Sequence, residues 1–207
     1  MSRRQKNQFN FGKFLREWGG FILIMGLFLI SRYTIWNPVT VEGHSMDPTL
    51  KDREMLIVML HTDIERFDVV VANSVDDNGE TKKIVKRVIG MPGDVVNFNN
   101  DVLTINGEVV DEPYLAEYLA AFKKDKLQET YSYNSYFQEL ALKSQTFTTD
   151  ANYNSNFTVT VPEGQYFLVG DDRIVSKDSR HVGTYSEESL VGEVKVRYWP
   201  ITNMDLF

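Results

Sequence analysis

The chain has 207 residues and a formal charge of −7. This length suits one domain of ordinary size with an appendage and is too short for a multidomain enzyme. Hydrophobic residues make up 43% and charged residues 25%, which excludes a largely disordered chain and a polytopic membrane protein. Cysteine is absent, so disulfides, thiolate metal sites and cysteine nucleophiles are excluded. An acidic chain also argues against a nucleic-acid binder, because such proteins gain affinity by neutralising phosphates.

An apolar segment follows a basic N-terminus. Residues 1–17 carry one acid, Glu17, and several basic side chains, which are Arg3, Arg4, Lys6, Lys13 and Arg16. Residues 18–36 read WGGFILIMGLFLISRYTIW, and Arg32 is their only charge. As a helix they would extend about 28 Å, close to the thickness of a bilayer's hydrocarbon core. The apolar run therefore predicts a single transmembrane helix over 18–36. The basic tail predicts its orientation, with residues 1–17 in the cytoplasm and residues 37–207 outside it.

A cleaved signal peptide is the main alternative for this segment. Its basic and apolar regions would look similar, but a cleavage site of small residues should follow. Here Arg32, Tyr33, Ile35 and Trp36 follow, all of them large. A buried helix of a soluble domain is disfavoured because the segment is apolar all round. The sequence therefore favours a retained anchor, which Pro38 is expected to end.

The rest of the chain predicts a mainly antiparallel β domain. Short aliphatic runs are separated by Gly, Pro, Asn and Asp clusters, and they cover residues 54–60, 68–72, 83–89, 94–98, 102–105, 157–161, 165–169 and 192–199. Asn106-Gly107 predicts a tight hairpin. Residues 112–157 are rich in Tyr, Ser, Asn, Lys and Gln, and we expect them to form a cap inserted between two strands of the main sheet, helical in part over 115–127.

Residues 43–50, GHSMDPTL, contain a candidate nucleophile in Ser45. A lone serine in such a polar turn is most often incidental. His44 is adjacent to it, but neighbouring side chains on an extended chain point apart, so His44 is badly placed to act as its base. The G-x-S-x-G elbow of the α/β-hydrolases is also excluded, since Asp47 takes the position of the second glycine.

Residues 82–94, KKIVKRVIGMPGD, contain a candidate base. Strand alternation places Ile84, Lys86 and Val88 on one face. A lysine between two aliphatic side chains can be desolvated, which lowers its pKa and leaves an amine able to accept a proton. The alternative is an edge strand whose inward charges prevent aggregation.

Residues 170–183, GDDRIVSKDSRHVG, are dense in charge. Taken alone they could be a solvated loop, and they lack the ligand spacing of a calcium loop. Because arginines alternate with the aspartates, the segment predicts internal ion pairs. We expect no metal and no cofactor.

Four segments, GHSMDPTL, RFDVVVA, IVKRVIGMPGD and GDDRxxSxDSR, follow the apolar helix in this order. Together they resemble the type I signal peptidases, and the single anchor is similar to the smaller Gram-positive form. The resemblance implies a membrane-anchored serine endopeptidase with a Ser/Lys dyad that removes signal peptides from exported preproteins. It implies contact with membrane lipid and with the translocation machinery, and no nucleic acid.

The resemblance also implies roles for individual residues. Ser45 would be the nucleophile, its backbone N–H an oxyanion donor, Lys86 the general base and Ser176 the group that orients the lysine. Ion-paired supporting residues would be Asp171, Arg173, Asp178 and Arg180, with Arg87 as a partner of Asp171. An extended substrate would add beside the DVVVA strand, at Asp68, Val69 and Val70. The shallow pockets for small residues at −1 and −3 would be lined by Val41, Met46, Leu50 and Val85.

Two positions depart from the commonest family pattern. Asp172 stands where asparagine is more usual, and Gly43 stands where some members have a serine that donates to the oxyanion.

Two rival functions remain. A self-cleaving Ser/Lys repressor would need a DNA-binding helix pair in place of the apolar helix. A membrane-anchored binding module would have Ser45 and Lys86 as ordinary sheet residues.

Overall fold

A computed structural model describes residues 11–76 and 78–207. The chain begins with one long helix, α1, over Phe11–Thr34. None of its side chains is buried, and within the described residues it is the one helix long and apolar enough to cross a membrane. At 24 residues it extends about 36 Å, longer than predicted, because helical hydrogen bonding continues into the polar segment that holds Lys13. Arg3, Arg4 and Lys6 of the basic tail lie outside the described residues.

The helix ends at Thr34, and Pro38 lies inside the first strand instead of ending the helix as predicted. Proline is tolerated there because this strand is at the edge of its sheet. Among the described residues, twelve strands follow, namely β1 Trp36–Thr40, β2 Met55–Met59, β3 Val69–Val75, β4 Thr81–Gly90, β5 Val95–Asn99, β6 Val102–Ile105, β7 Glu108–Val110, β8 Asn156–Thr160, β9 Gln165–Val169, β10 Tyr185–Ser186, β11 Leu190–Trp199 and β12 Asp205–Leu206.

The strands form two antiparallel sheets. The larger has the order β1-β2-β11-β3-β4-β9-β10, with β12 paired to β11, and the smaller has the order β7-β6-β5-β8. The mainly antiparallel β prediction is confirmed, and the predicted strands lie within three residues of the observed ones. The predicted hairpin is present, with Asn106 and Gly107 both at positive φ between paired Ile105 and Glu108. The short strands β1, β10 and β12 were not predicted.

The core follows the alternation of these strands. Under the larger sheet, β2 contributes Leu56 and Val58, which pack with Val41 and Leu50 from the intervening turn. The smaller sheet packs Phe98 of β5 against Phe167 of β9, so the second cluster joins the two sheets. Each cluster takes alternate residues of its strands, because alternate side chains point to the same face, and the intervening Val70 and Ala72 of β3 are buried on the other face of the larger sheet.

Residues 112–157 connect β7 to β8 of the smaller sheet, and not two strands of the main sheet as predicted. The segment has a 3-10 turn at Pro113–Leu115 and two helices, α2 Ala116–Asp125 and α3 Ser135–Lys143. The first helix matches the prediction, while the second was missed. Its start is capped by Asn134, whose side chain accepts hydrogen bonds from two backbone N–H groups of the first turn. We call residues 112–157 the cap.

The cap has an apolar core of its own, formed by Leu115, Tyr118, Phe122, Leu127, Tyr131, Ala141 and Phe147. Ile174 and Val175 of the loop after β9 pack against it. A short helix, α4 Ser179–Val182, ends that loop. The cap is therefore anchored directly on the charged segment that the sequence singled out.

Candidate active site

Ser45 lies in a tight turn between β1 and β2. Gly43 enters the turn at φ +86, a conformation that favours glycine, and its N–H donates to Asp52 Oδ1 at 2.8 Å. The buried side chains of Met46 and Leu50 tie the turn to the core, and the Leu50 N–H bonds to the Met46 carbonyl at 2.9 Å. Ser45 itself is half-buried, so its hydroxyl is held on a fixed turn within reach of solvent.

Lys86 meets Ser45 from the neighbouring strand β4. Its Nζ lies 2.6 Å from Ser45 Oγ and 3.0 Å from the Val85 carbonyl, and the residue is 3% exposed. Burial lowers the pKa of Lys86 from 10.5 to about 8, because the charged ammonium is desolvated. Asp178 and Asp171 act against this shift, and Arg180 adds to it. A substantial fraction of this amine is therefore neutral near neutral pH.

The next residue of β4, Arg87, binds Asp171 through two hydrogen bonds. Its Nε donates to Oδ1 at 2.9 Å and its Nη2 donates to Oδ2 at 2.6 Å. Thr49 of the Ser45 turn donates to the same carboxylate at 2.5 Å, and the guanidinium lies 3.9 Å from the centre of the Tyr114 ring. The buried Arg87–Asp171 pair, with Thr49, therefore links β4, the loop after β9 and the turn that holds Ser45.

Asp178 and Arg180 form a second buried pair. Arg180 donates to both carboxylate oxygens at 2.9 Å, and the Gly170 N–H donates to Oδ2 at 2.9 Å. Burial would raise the pKa of Asp178, but the adjacent Arg180 holds it well below its usual range. Arg173 makes a third pair with Glu112 at the start of the cap, and donates to the Gly170 carbonyl at 3.1 Å. Of these three pairs, Asp178–Arg180 is internal to the loop as predicted, while Asp171 and Arg173 pair with Arg87 of β4 and Glu112 of the cap.

Ser176 lies beside the dyad, with its hydroxyl buried and without a hydrogen bond to any described residue. The contact with Lys86 that the resemblance implies is therefore not present in this structure. Gly170 allows the close approach here, since a Cβ at that position would overlap both Ser176 Oγ and the Ser45 carbonyl. Any side chain at position 170 would therefore push the loop away from Ser45.

A cleft of about 450 Å³ opens beside Ser45. One wall is residues 39–42 and the other is residues 82–86 of β4. Among the predicted pocket residues, Val41, Met46 and Val85 line this cleft. Leu50 does not, because it is fully buried in the core below the turn.

The prediction that substrate adds beside the Asp68, Val69 and Val70 segment is wrong. β3 is an interior strand, with Val70 paired to Lys86 of β4 on one edge and to Glu193 of β11 on the other. Its backbone groups are already in ladders, so it has no edge for another strand. The free edge belongs to β4, which β9 joins only from Arg87 onward.

Sequence reasoning missed two site residues that come from the cap. The Tyr131 hydroxyl donates to Asp172 Oδ1 at 2.6 Å, and Glu112 is the partner of Arg173. No local signal could have identified them, because their partners lie 41 and 61 residues away in the chain. Thr49 and Asp47, in contrast, belong to a segment that the sequence had already singled out.

Comparisons with known proteins agree on one family. A family model described as "Signal peptidase, peptidase S26" matches residues 15–199. Signal peptidase I of Streptococcus pneumoniae R6 is 55% identical over 204 residues, covering 95% of this chain and 98% of that protein. Signal peptidase IB of Staphylococcus aureus Mu50 is 40% identical over 182 residues, covering 85% and 84%.

A crystal structure of a signal peptidase I from Enterococcus faecalis V583 is also similar. It is 30% identical, with a TM-score of 0.47, and the match covers 64% of this chain and 97% of that one. The sequence matches extend over both charged segments and the Ser45 turn. The chain therefore belongs to the peptidase S26 family of signal peptidases, which are serine endopeptidases.

Proposed function

We propose that this protein is a membrane-anchored Ser/Lys endopeptidase that cleaves N-terminal signal peptides from exported preproteins. Ser45 is the nucleophile and Lys86 the general base. The observation that carries the proposal is the 2.6 Å contact between Lys86 Nζ and Ser45 Oγ. A serine hydroxyl needs a base within hydrogen-bond reach, and His44 is engaged with Asp47 at 3.0 Å.

The reaction follows from this geometry. Neutral Lys86 takes the Ser45 proton while Oγ forms a bond to the scissile carbonyl carbon, and the carbonyl electron pair moves to oxygen. The Ser45 N–H donates to that oxyanion. The intermediate collapses, the C–N bond breaks, and the Lys86 ammonium returns its proton to the leaving amine. Lys86 then takes a proton from a water that attacks the acyl-enzyme carbonyl, and it returns this proton to Ser45 Oγ as the ester C–O bond breaks.

The free edge of β4 suits an extended substrate. Residues 82–85 pair with β3 on one side only, and residues 39–42 face them across the cleft. A peptide that adds as a strand here points alternate side chains at the same wall. Val41, Met46 and Val85 give that wall an apolar lining, and we infer that the pockets there take the small residues at −1 and −3.

The surrounding residues support the dyad. Asp171 and Asp178 hold Arg87 and Arg180, so the buried charges near Lys86 are compensated by each other. Ser176 and Arg173 lie on the same loop, and Ser176 stays the candidate for the lysine-orienting hydroxyl. Gly43 provides no side-chain donor, so the oxyanion would depend on backbone N–H groups.

The anchor assignment rests on α1. Its large apolar side chains are exposed, with Phe21 at 57% and Ile24 at 69%, which in water would be unfavourable for so long a helix. Arg32 near its end stacks with Trp36 at 5.6 Å, as an interfacial pair would. With the basic residues before it, this supports a cytoplasmic N-terminus and an external catalytic domain, in contact with lipid and with the translocation machinery.

The direct test incubates the purified full chain in detergent with a precursor that carries a signal peptide. N-terminal sequencing of the product should show one cut after the signal peptide. Ser45→Ala and Lys86→Ala should both abolish it, whereas Ser132→Ala, at an exposed cap serine, should not. A binding module would leave the precursor intact and Ser45 unlabelled by acylating reagents.

For the topology, protease added to intact protoplasts should degrade the catalytic domain, and a protected domain would contradict the orientation.

A further inference from the structure

The cap reaches the nucleophile through a chain of hydrogen bonds. The Tyr131 hydroxyl donates to Asp172 Oδ1 at 2.6 Å, and the Asp172 backbone N–H donates to the Ser45 carbonyl at 3.2 Å. Asp172 and Tyr131 are both completely buried. Two hydrogen bonds thus separate a cap side chain from the peptide group of the residue that attacks the substrate.

The cap makes a second contact with the same turn. The His44 ring lies 5.2 Å from the Tyr133 ring and 5.8 Å from the Phe137 ring, measured between centroids. His44 precedes Ser45, and its Nδ1 bonds to Asp47 Oδ2 at 3.0 Å. The cap therefore fixes the Ser45 turn from the residue before it as well as through the Ser45 carbonyl.

Two carboxyl oxygens are buried between these contacts without a donor among the described residues. They are Asp172 Oδ2 and Asp47 Oδ1. Burial raises the pKa of Asp172 to about 7, against the hydrogen bond from Tyr131, and the nearby Asp47 raises it further. Burial also raises the pKa of Asp47. A proton on Asp172 removes charge from an oxygen that nothing nearby neutralises.

The groups that face this pair come from every element around it. Charged and titratable side chains near the two carboxyls are His44, Lys51 and Glu54 from the segment between β1 and β2, and Tyr118, Tyr131 and Tyr133 from the cap. Lys51 is the nearby cation, and it acts on Asp47. The charges that shift the pKa of Lys86 are those of Asp178, Arg180 and Asp171.

We propose that the cap positions the nucleophile, with Tyr131 and Asp172 as the positioning residues and Asp172 acting in its protonated form. The inference rests on the proposed role of Ser45 as nucleophile. Removing the Tyr131 hydroxyl leaves Asp172 Oδ1 with the backbone N–H of Ile174 at 3.3 Å, so the Asp172 side chain is held less firmly, and with it the carbonyl and peptide plane of Ser45. The Ser45–Lys86 geometry and the oxyanion N–H then lose alignment, while the cleft walls at 39–42 and 82–85 are untouched.

The matched variants are Tyr131→Phe and Tyr118→Phe, assayed as full chains in detergent on the same precursor. Both tyrosines are buried in the cap with rings 6.3 Å apart, but only Tyr131 donates to Asp172. Misalignment of reacting groups by a fraction of an ångström lowers kcat by about tenfold, and KM should stay within about twofold. Tyr118→Phe should leave both constants within about twofold of the wild type.

A pH series on Asp172→Asn separates positioning from a merely structural role. Asparagine mimics the protonated carboxyl at every pH, whereas wild-type Asp172 loses its proton as the pH increases. The ratio of kcat for Asp172→Asn to wild-type kcat should therefore rise by about tenfold between pH 6 and pH 9. The titration of Lys86 is common to both proteins and cancels in the ratio. A contribution to folding alone would give a ratio that does not change with pH.

The outcomes distinguish this inference from the function on which it rests. If Tyr131→Phe matches Tyr118→Phe, or the ratio stays flat, while Ser45→Ala is inactive, the cap does not position the nucleophile and the dyad stands. If Ser45→Ala still cleaves, the proposed function itself fails. Thermal melting of each variant is measured alongside, and if Tyr131→Phe is unfolded at the assay temperature, the pH ratio of Asp172→Asn decides.

Discussion

Replacing Lys86 by arginine distinguishes a general base from a simple positive charge. Arginine keeps the charge and much of the length but cannot release its proton near neutral pH. If Lys86 takes the Ser45 proton, Lys86→Arg should lose activity almost as completely as Lys86→Ala. Loss of a general base usually costs at least about 10²–10⁴-fold, and more when the nucleophile depends wholly on it.

The structure gives the size of the effect that burial has on this base. A pKa of about 8 leaves about a tenth of Lys86 neutral at pH 7, whereas the ordinary value of 10.5 would leave about 300-fold less. In Asp172→Asn, which lacks the titration of Asp172 proposed above, kcat/KM should therefore rise about tenfold per pH unit up to about pH 8 and then level off. A lysine with an ordinary pKa would keep rising to about pH 10.5.

The assay follows cleavage of a signal-peptide precursor by the full chain in detergent between pH 6 and pH 10. Lys195→Arg is the control, since Lys195 is another strand lysine, paired with Glu193, and does not line the cleft. Near wild-type cleavage by Lys86→Arg, in a protein with an unchanged melting temperature, would falsify the Ser45/Lys86 dyad. A profile without a change of slope near pH 8 would contradict the role of burial.

Three further outcomes are expected. Lys86→Met should be inactive, yet its free energy of unfolding at pH 7 should exceed that of the wild type by about 3 kcal/mol, because the wild type buries an ammonium whose pKa is lowered. This difference in stability is full below pH 8 and disappears above pH 10.5, and urea denaturation of both proteins at pH 7 and above pH 10.5 would measure it. A bulky residue at −1 of the precursor should abolish cleavage if the pocket lined by Val41, Met46 and Val85 takes only small side chains, and equal cutting of that variant would count against the pocket assignment. Gly170→Ala should lower kcat by about 100-fold, because its Cβ overlaps Ser176 Oγ and the Ser45 carbonyl, and unchanged kinetics would show that the close approach is not needed.

The sequence by itself determined the local features of the molecule. Alternating aliphatic residues identified the strands, and Asn106-Gly107 identified a hairpin whose two residues both need positive φ. The continuous apolar run identified α1, although not where it begins and ends. Alternation also placed Lys86 between Ile84 and Val88, and in the structure that lysine is buried. These features depend on residues within a few positions of each other, which is why they can be read along the chain.

Only the tertiary structure decided which distant groups meet. The strand order makes β3 an interior strand and leaves the β4 edge free at residues 82–85, and no local pattern distinguishes the two. The hydrogen bond from Tyr131 to Asp172, and the burial that raises the pKa of that carboxyl to about 7, come from the packing of the cap on the loop after β9. Pairing order and desolvation are properties of the whole fold, because both depend on which surfaces cover each other.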